Sequence, residues 1–494
     1  GGSKGVGKAL WLHDTIPGDA PGMFGVGIMA EKGAELQLEG MLGESLRGSG
    51  ICLVGPGTSV TAVDVVVRGT KTNEAGEHGC GLELWKQAEA KLERVVLENN
   101  RFAGLYAAMA STVELANGLI RDTGPDNKSH GGYGLNIVGG STAAVTGTLI
   151  EDSYGLGVGL ANPDSEASLE ATTVRRTEKA GDFSLGSGVE AASGSRASLY
   201  GVALEGNATA GVAAYDSGTV VELRWSTISN THSDKTGSFG YGLVASGGAM
   251  AELTSTLVHS NRYGGLVAGG AGTKIVADGV AVRDTNPSVQ GAGGAGIWIG
   301  NGGEALVSNS LCSANTLAGI MVAGPNSEAV VHRCVLRDTL AGDSIGTARG
   351  ANVFDAGSLA ITETVIHNNA GFGVSVMDGG TSVVLQESII RDTLPGSAGD
   401  YGTGLQAIGG CDVVVADSIL KNNRRVGLSA YDLGTTVAVT DSAVLNTRAN
   451  NLGPGIGLGV SDGAAATVSG SLVDGNEGAG LASFGEGTTL HVER

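Results

Sequence analysis

The apolar positions of this chain fall in short alternating runs that return at a fixed interval. The stretch from Gly404 reads GLQAIGGCDVVVADSILKNNRRV. Its opening GLQA alternates inward and outward, as a short strand does. Gly409-Gly410 supplies a bend that needs positive φ. Val413-Val414-Val415 begins a second strand, and Ser418, Ile419 and Leu420 lie in a third. Asn423 closes the unit, four residues before the next repeated glycine. Some 23 residues therefore make one coil with three short strands and three bends.

The glycine that opens each coil recurs from Gly27, Gly50, Gly81 and Gly104 through to Gly457 and Gly480. Its spacing alternates between 23 and 31 residues, with 30 in place of 31 at two steps. An unbroken period over the whole length means a repeat architecture. One continuous domain over 1–494 is expected. Both ends fall inside a coil, which reads as a segment of a longer chain or a mature product.

Aligned on Asn423, the short coils carry Asn100, Ser153, Asn207, Asn261, Asn315, Asn369 and Asn476 at one position. The long coils carry Thr there, for example Thr70, Thr123, Thr177, Thr285, Thr339, Thr393 and Thr447. Stacked Asn and Thr side chains can bond one another and the bend backbone along the stack. Three residues earlier runs an aliphatic ladder that includes Ile150, Leu204, Ile366, Ile390 and Leu420. Five residues earlier runs a small polar one with Thr364, Ser388, Ser418 and Ser442.

These ladders resemble the PbH1-type repeats of right-handed parallel β-helix proteins, the architecture of pectate lyases and polygalacturonases. The motif Arg-Asp-Thr followed by a Pro/Gly-rich loop resembles repeats of large bacterial secreted or surface β-helix proteins. The resemblance implies an all-β fold, a single-stranded right-handed parallel β-helix solenoid of about 18 coils in alternating 23/31-residue pairs. It says little about chemistry, since this fold carries many functions. A leucine-rich repeat is disfavoured, because Gly, Thr, Ser and Val form helices poorly.

Composition narrows the partners. Lys and Arg number 30 against 50 Asp and Glu, a formal charge of −20. That argues against nucleic acid and against unassisted binding of polyanionic sugars. The 5 cysteines include no CxxC and read as small buried thiols. No run of 18 apolar residues exists, so no membrane span is expected. An extracellular or cell-surface location on a bacterium is the expectation. The extra residues of the long coils enter at one bend, after the Thr, and their differing content reads as solvated spacer loops. Outward aromatics such as Trp85, Tyr106, Trp298, Tyr215 and Tyr431 read as scattered.

Charge supplies the candidate site. Two residues before the Asn/Thr position stand Glu44, Arg68, Glu98, Arg121, Glu151, Arg175 and Glu205, in strict alternation. Stacked opposite charges fix register. Further along, the same column turns cationic, with Arg337, His367, Arg391 and Lys421. Beside it stand Glu363, Glu387, Asp417 and Asp441 on four consecutive coils, with Arg333 next to them. Four like charges near 5 Å spacing repel unless compensated, and Ca²⁺ prefers carboxylate oxygens. The four carboxylates are the candidate Ca²⁺ stripe, and no other cofactor is expected. The patch loosely resembles the acidic cluster beside an Arg or Lys base in polysaccharide lyases of this fold. That resemblance would make Arg333, His367, Arg391 and Lys421 substrate contacts.

The catalytic sets of polygalacturonases, and the GxSxG, HExxH and Walker A motifs, are missing from the sequence. The leading expectation is a non-catalytic extracytoplasmic scaffold, that is a surface stalk, adhesin or matrix element. A polysaccharide or another cell-surface component is its expected partner. One alternative is a carbohydrate-active enzyme, a lyase or glycoside hydrolase, acting near residues 333–441. The other is a filament subunit that associates end to end through open coil edges.

Overall fold

The computed structural model describes residues 3–15, 25–179, 186–233, 237–342 and 347–494. The chain divides into two compact units, one of residues 1–240 with 249–252 and one of 241–248 with 253–494. Both are built the same way. The described residues form 55 strands and no helix. In each unit the strands pair in parallel and fall into three sheets, wound as a right-handed β-helix.

One coil of the second unit shows how sequence makes the turn. Thr403–Ile408 belongs to what we call the glycine sheet, Asp412–Ala416 to the middle sheet and Ile419–Lys421 to the short sheet. Val413 and Val415 face in and are buried, while Asp412 and Val414 face out. The bend between middle and short sheets is one left-handed residue, Asp417 (φ 50°), and the next bend is another, Asn422 (φ 56°). Asp and Asn tolerate that conformation because their short polar side chains bond locally. This decodes Arg391-Asp392-Thr393. Arg391 ends the short strand, Asp392 (φ 54°) turns the corner, and Thr393 points inside.

The repeated glycines are there for space. A Cβ on Gly81 would sit 2.7 Å from the carbonyl oxygen of Gly104 and 2.8 Å from Asn100 Nδ2. Gly427 would meet Gly457 O at 2.6 Å. Only a residue without a side chain lets the coils stack at strand spacing here.

The interior ladders are as the alignment places them. Ile366, Ile390 and Leu420 are in register and fully buried. Asn423 Nδ2 donates to Ile390 O (3.3 Å), and its Oδ1 accepts from Thr393 N (3.2 Å) and Thr393 Oγ1 (2.8 Å). The same reach-back joins Asn100 to Thr70, Asn207 to Thr177, Asn315 to Thr285 and Asn369 to Thr339. In the serine ladder, Ser388 N donates to Ser418 Oγ and Ser418 N to Ser442 Oγ, both at 3.1 Å. Each hydroxyl donates in turn to a carbonyl two residues back. All five cysteines are free and buried, and burial pushes the Cys52 thiol up to about 12.

Candidate functional site

The alternating charge column stands in register across the short sheet of the first unit. Glu44 faces Arg68, Arg68 faces Glu98, and Glu98 faces Arg121. Arg68 reaches Glu44 at 2.6 Å, Arg121 reaches Glu98 at 2.7 Å and Arg175 reaches Glu151 at 2.8 Å.

The acidic stripe of the second unit has a backbone cause. Glu363 (φ 47°), Glu387 (φ 48°), Asp417 (φ 50°) and Asp441 (φ 48°) are the left-handed residues of one bend on successive coils. Arg333 (φ 54°) holds the same bend one coil earlier, and its Nε donates to Glu363 Oε2 at 2.8 Å. That bond holds the Glu363 carboxyl below its usual range. His367, Arg391 and Lys421 line up on the short sheet, with Arg337 before them. Arg391 bonds its neighbour Asp392 at 2.6 Å. Burial, with Arg391 and Arg337 nearby, holds the His367 imidazole below its ordinary value. The eight residues therefore form two columns, one residue per coil. Among the described residues, no three His, Cys, Asp or Glu side chains gather so as to hold a metal ion.

What the sequence reading missed lies on the outer face of the glycine sheet. The inserts are built structures. In four of them a tight turn repeats: Asn73 N to Glu77 O, Asp126 N to His130 O, Ser288 N to Ala292 O and Gly396 N to Asp400 O. Successive inserts bond each other, Asn127 N to Gly76 O at 3.0 Å and Asn450 Nδ2 to Tyr401 O at 2.7 Å. Neighbouring inserts are thus tied to one another at these points, while their tips, such as Lys128, Ser129 and Ser397, stay exposed.

Of the aromatics read as scattered, Trp85, Tyr106 and Trp298 stand in clusters with other rings. In the first unit Phe102 lies 5.7 Å from Tyr106, 6.0 Å from Tyr133 and 6.0 Å from His78, and Trp85 lies 5.1 Å from Tyr106. In the second unit Tyr263 lies 5.3 Å from Tyr241 and 5.5 Å from Trp298. The signal was there to read. Phe102, Tyr133, Tyr241, Tyr263, Phe372 and Tyr401 each stand within three residues before a repeated glycine.

The third cluster carries charge as well. Phe372 and Tyr401 lie 4.9 Å apart with their rings tilted by 44°. Arg349 lies over Phe372 at 5.6 Å and Arg425 over Tyr401 at 6.0 Å. The four make a guanidinium–ring–ring–guanidinium row along the coils. Arg349 pairs in register with Phe372, and three residues on the outward column reads Asn352, Ser375, Gln406 and Ser429. Asn352, Ser375 and Ser429 are almost wholly buried. Asn352 Oδ1, Ser375 Oγ, Ser429 Oγ, Arg349 Nε and Asp400 Oδ1 have no hydrogen-bond partner. Burial holds the Arg349 guanidinium below its usual value. On the equivalent column of the first unit stand a buried acid, Glu83, and a part-buried one, Glu190. Glu83 accepts from Ser49 Oγ at 2.5 Å, and its presence raises the His78 imidazole. Burial pushes Glu190 up to about 7.

Comparison with known proteins agrees on architecture. The family model for the right handed beta helix region matches residues 49–228, 218–390 and 346–494. No curated protein matches the chain in sequence. Among solved structures, the periplasmic alginate epimerase AlgG is similar at 10% identity and TM-score 0.43, over 73% of this chain and 77% of that one. The Dettilon tailspike protein is similar at 11% identity and TM-score 0.41, over 76% and 62%. Alginate lyase from Paenibacillus sp. str. FPU-7 is similar at 14% identity and TM-score 0.30, over 61% and 93%.

Proposed function

We propose that this chain, which belongs to the right-handed β-helix family, is a non-catalytic extracytoplasmic scaffold of the surface or matrix kind. Its binding face is the outer side of the glycine sheet around residues 349–429, and its partner is an acidic polysaccharide. The observation that carries this is the Arg349–Phe372–Tyr401–Arg425 row, two guanidinium groups flanking two rings. Guanidinium groups take up carboxylates or sulfates, and aromatic faces take up the apolar faces of sugar rings. The two arginines give a local positive site on a chain of net charge −20. An extracellular or cell-surface location goes with this reading, as does the lack of a helix long and apolar enough to cross a membrane among the described residues.

The test is a binding panel of uronic, sulfated and neutral polysaccharides against the wild type, Tyr401→Ala and Arg349→Ala. Acidic chains should bind, and each variant should lose on the order of tenfold in affinity with its melting curve kept. Binding indifferent to both variants refutes the site. Release of unsaturated uronic-acid products refutes the non-catalytic reading.

A further inference from the structure

The middle sheet changes character between the two units. Its central outward column in the first unit includes Gln37, Thr61, Lys91, Glu114, Ala144, Ser168, Ser198 and Glu222. Ion pairs decorate it, Lys91 with Glu114 at 3.5 Å and Arg196 with Glu222 at 2.7 Å. In the second unit the same column reads Val276, Leu306, Val330, Ala360, Val384, Val414 and Ala438, seven apolar residues on seven successive strands, before Thr467 and His491. Leu306, Val384 and Val414 are 40–42% exposed. Flat apolar stripes of this kind mark association surfaces.

We propose that this stripe docks on the same stripe of a second copy of the chain. The twofold axis runs parallel to the direction in which the coils stack. Two observations name the occupant. The first is charge. A twofold along the stack sets each strand against its own copy with direction reversed, so its first outward residue meets the fifth of its mate. Lys274 then meets Asp278, Glu304 meets Ser308, and Glu328 meets His332. Ser358 meets Thr362, Ser382 meets Gln386, and Asp412 meets Ala416. No like charges face each other at any of these strands. A twofold across the stack, centred on Ala360, would instead set Glu304 against Asp412. Like-charge contacts of that kind suppress a docking mode, so complementarity selects the first.

The second observation is size. Seven strands with three outward residues each give 21 side chains per copy. A standard stable interface uses roughly 20–30 residues a side. Sheets packed face to face lie about 10 Å apart with strands nearly aligned, which suits apolar side chains of Val, Leu and Ala size.

Sedimentation equilibrium on the full chain tests this. A dimer is expected, and Val384→Asp/Val414→Asp should make it a monomer with an unchanged β-sheet circular dichroism spectrum. The pair Lys274 and Asp278 tests the axis. Lys274→Asp alone, or Asp278→Lys alone, should weaken the dimer on the order of tenfold, and the double exchange should restore it. A chain that stays monomeric at every concentration overturns the proposal and leaves the stripe to an unlike partner or to solvent. A dimer untouched by the Val384/Val414 pair overturns it too, and lack of restoration in the exchange overturns the axis.

Discussion

Asn423→Ala should cost about 3 kcal/mol and loosen the coils on either side of it. Asn423 is fully buried. Its amide satisfies a carbonyl, Ile390 O at 3.3 Å, an amide, Thr393 N at 3.2 Å, and a hydroxyl, Thr393 Oγ1 at 2.8 Å. Alanine leaves all three without that partner inside the stack. Each unpaired buried group costs roughly 1–3 kcal/mol, partly relieved by relaxation, so a total of about 2–5 kcal/mol is expected. Thr393→Val removes only the hydroxyl bond and should cost about 1 kcal/mol. Gln386→Ala alters an exposed side chain and should stay within about 0.5 kcal/mol. Coils contact only their neighbours, so the loss is local. Denaturant melts give the order of the three variants. Hydrogen exchange should quicken in the coils that hold residues 390–393 and 423 and stay unchanged in the first unit. An Asn423→Ala variant as stable as Gln386→Ala would refute the account of the ladder.

Two further outcomes follow from single side chains. Glu190 has its folded pKa raised to about 7 by burial, above the roughly 4.3 of an unfolded chain. Its contribution is therefore most favourable below about pH 4.3 and is lost as pH rises toward 7. The loss amounts to up to about 3 kcal/mol, and Glu190→Gln melts compared with wild type across that window should show it vanish. Gly404→Ala places a Cβ 2.6 Å from Asn423 Nδ2. It should therefore lower the thermal midpoint, whereas Gly453→Ala, with open space around it, should leave it nearly unchanged.

How much of this was legible depended on whether a residue acts along the stack or across it. The coil period, the interior aliphatics and the Asn/Thr ladder recur at fixed spacing, so one alignment exposes them. The Glu44–Arg68–Glu98 column was readable for the same reason. Four stacked carboxylates were also visible, but a column is not a cluster. Their spacing reflects one left-handed bend repeated, and the local reading of Glu363, Glu387, Asp417 and Asp441 could not separate backbone demand from chemistry. In the Arg349–Phe372–Tyr401–Arg425 row the two rings were legible from their places before repeated glycines, but their meeting with Arg349 and Arg425 was not, because Tyr401 comes from an insert and Arg349 and Phe372 from strands of different coils. Only the folded insert brings them together.

The two spacings of the repeat acquire a physical meaning from the same ladders. Where a short coil carries Asn, as at Asn100, Asn207, Asn315, Asn369 and Asn423, it reaches back to the Thr of the long coil before it. In three long coils of the first unit an Arg reaches back to the Glu of the short coil before it, Arg68 to Glu44, Arg121 to Glu98 and Arg175 to Glu151. The two stitches alternate, and they differ in strength. The Asn amide is buried and completes backbone hydrogen bonding, whereas the ion pairs are part-exposed, a setting worth about 0–1 kcal/mol. A long coil and the short coil after it therefore form the tighter pair, and the natural repeat is the 54-residue couple, 31 plus 23. In the second unit the cationic column drops the ion pair. Arg283, Arg337 and Arg391 bond their own neighbours Asp284, Asp338 and Asp392 instead. There the step from a short coil to the next long one rests on the serine ladder, as in Thr364 N to Ser388 Oγ. Side chains released from stacking duty are free to differ from coil to coil, and it is this unit that carries both the arginine–ring row and the apolar stripe.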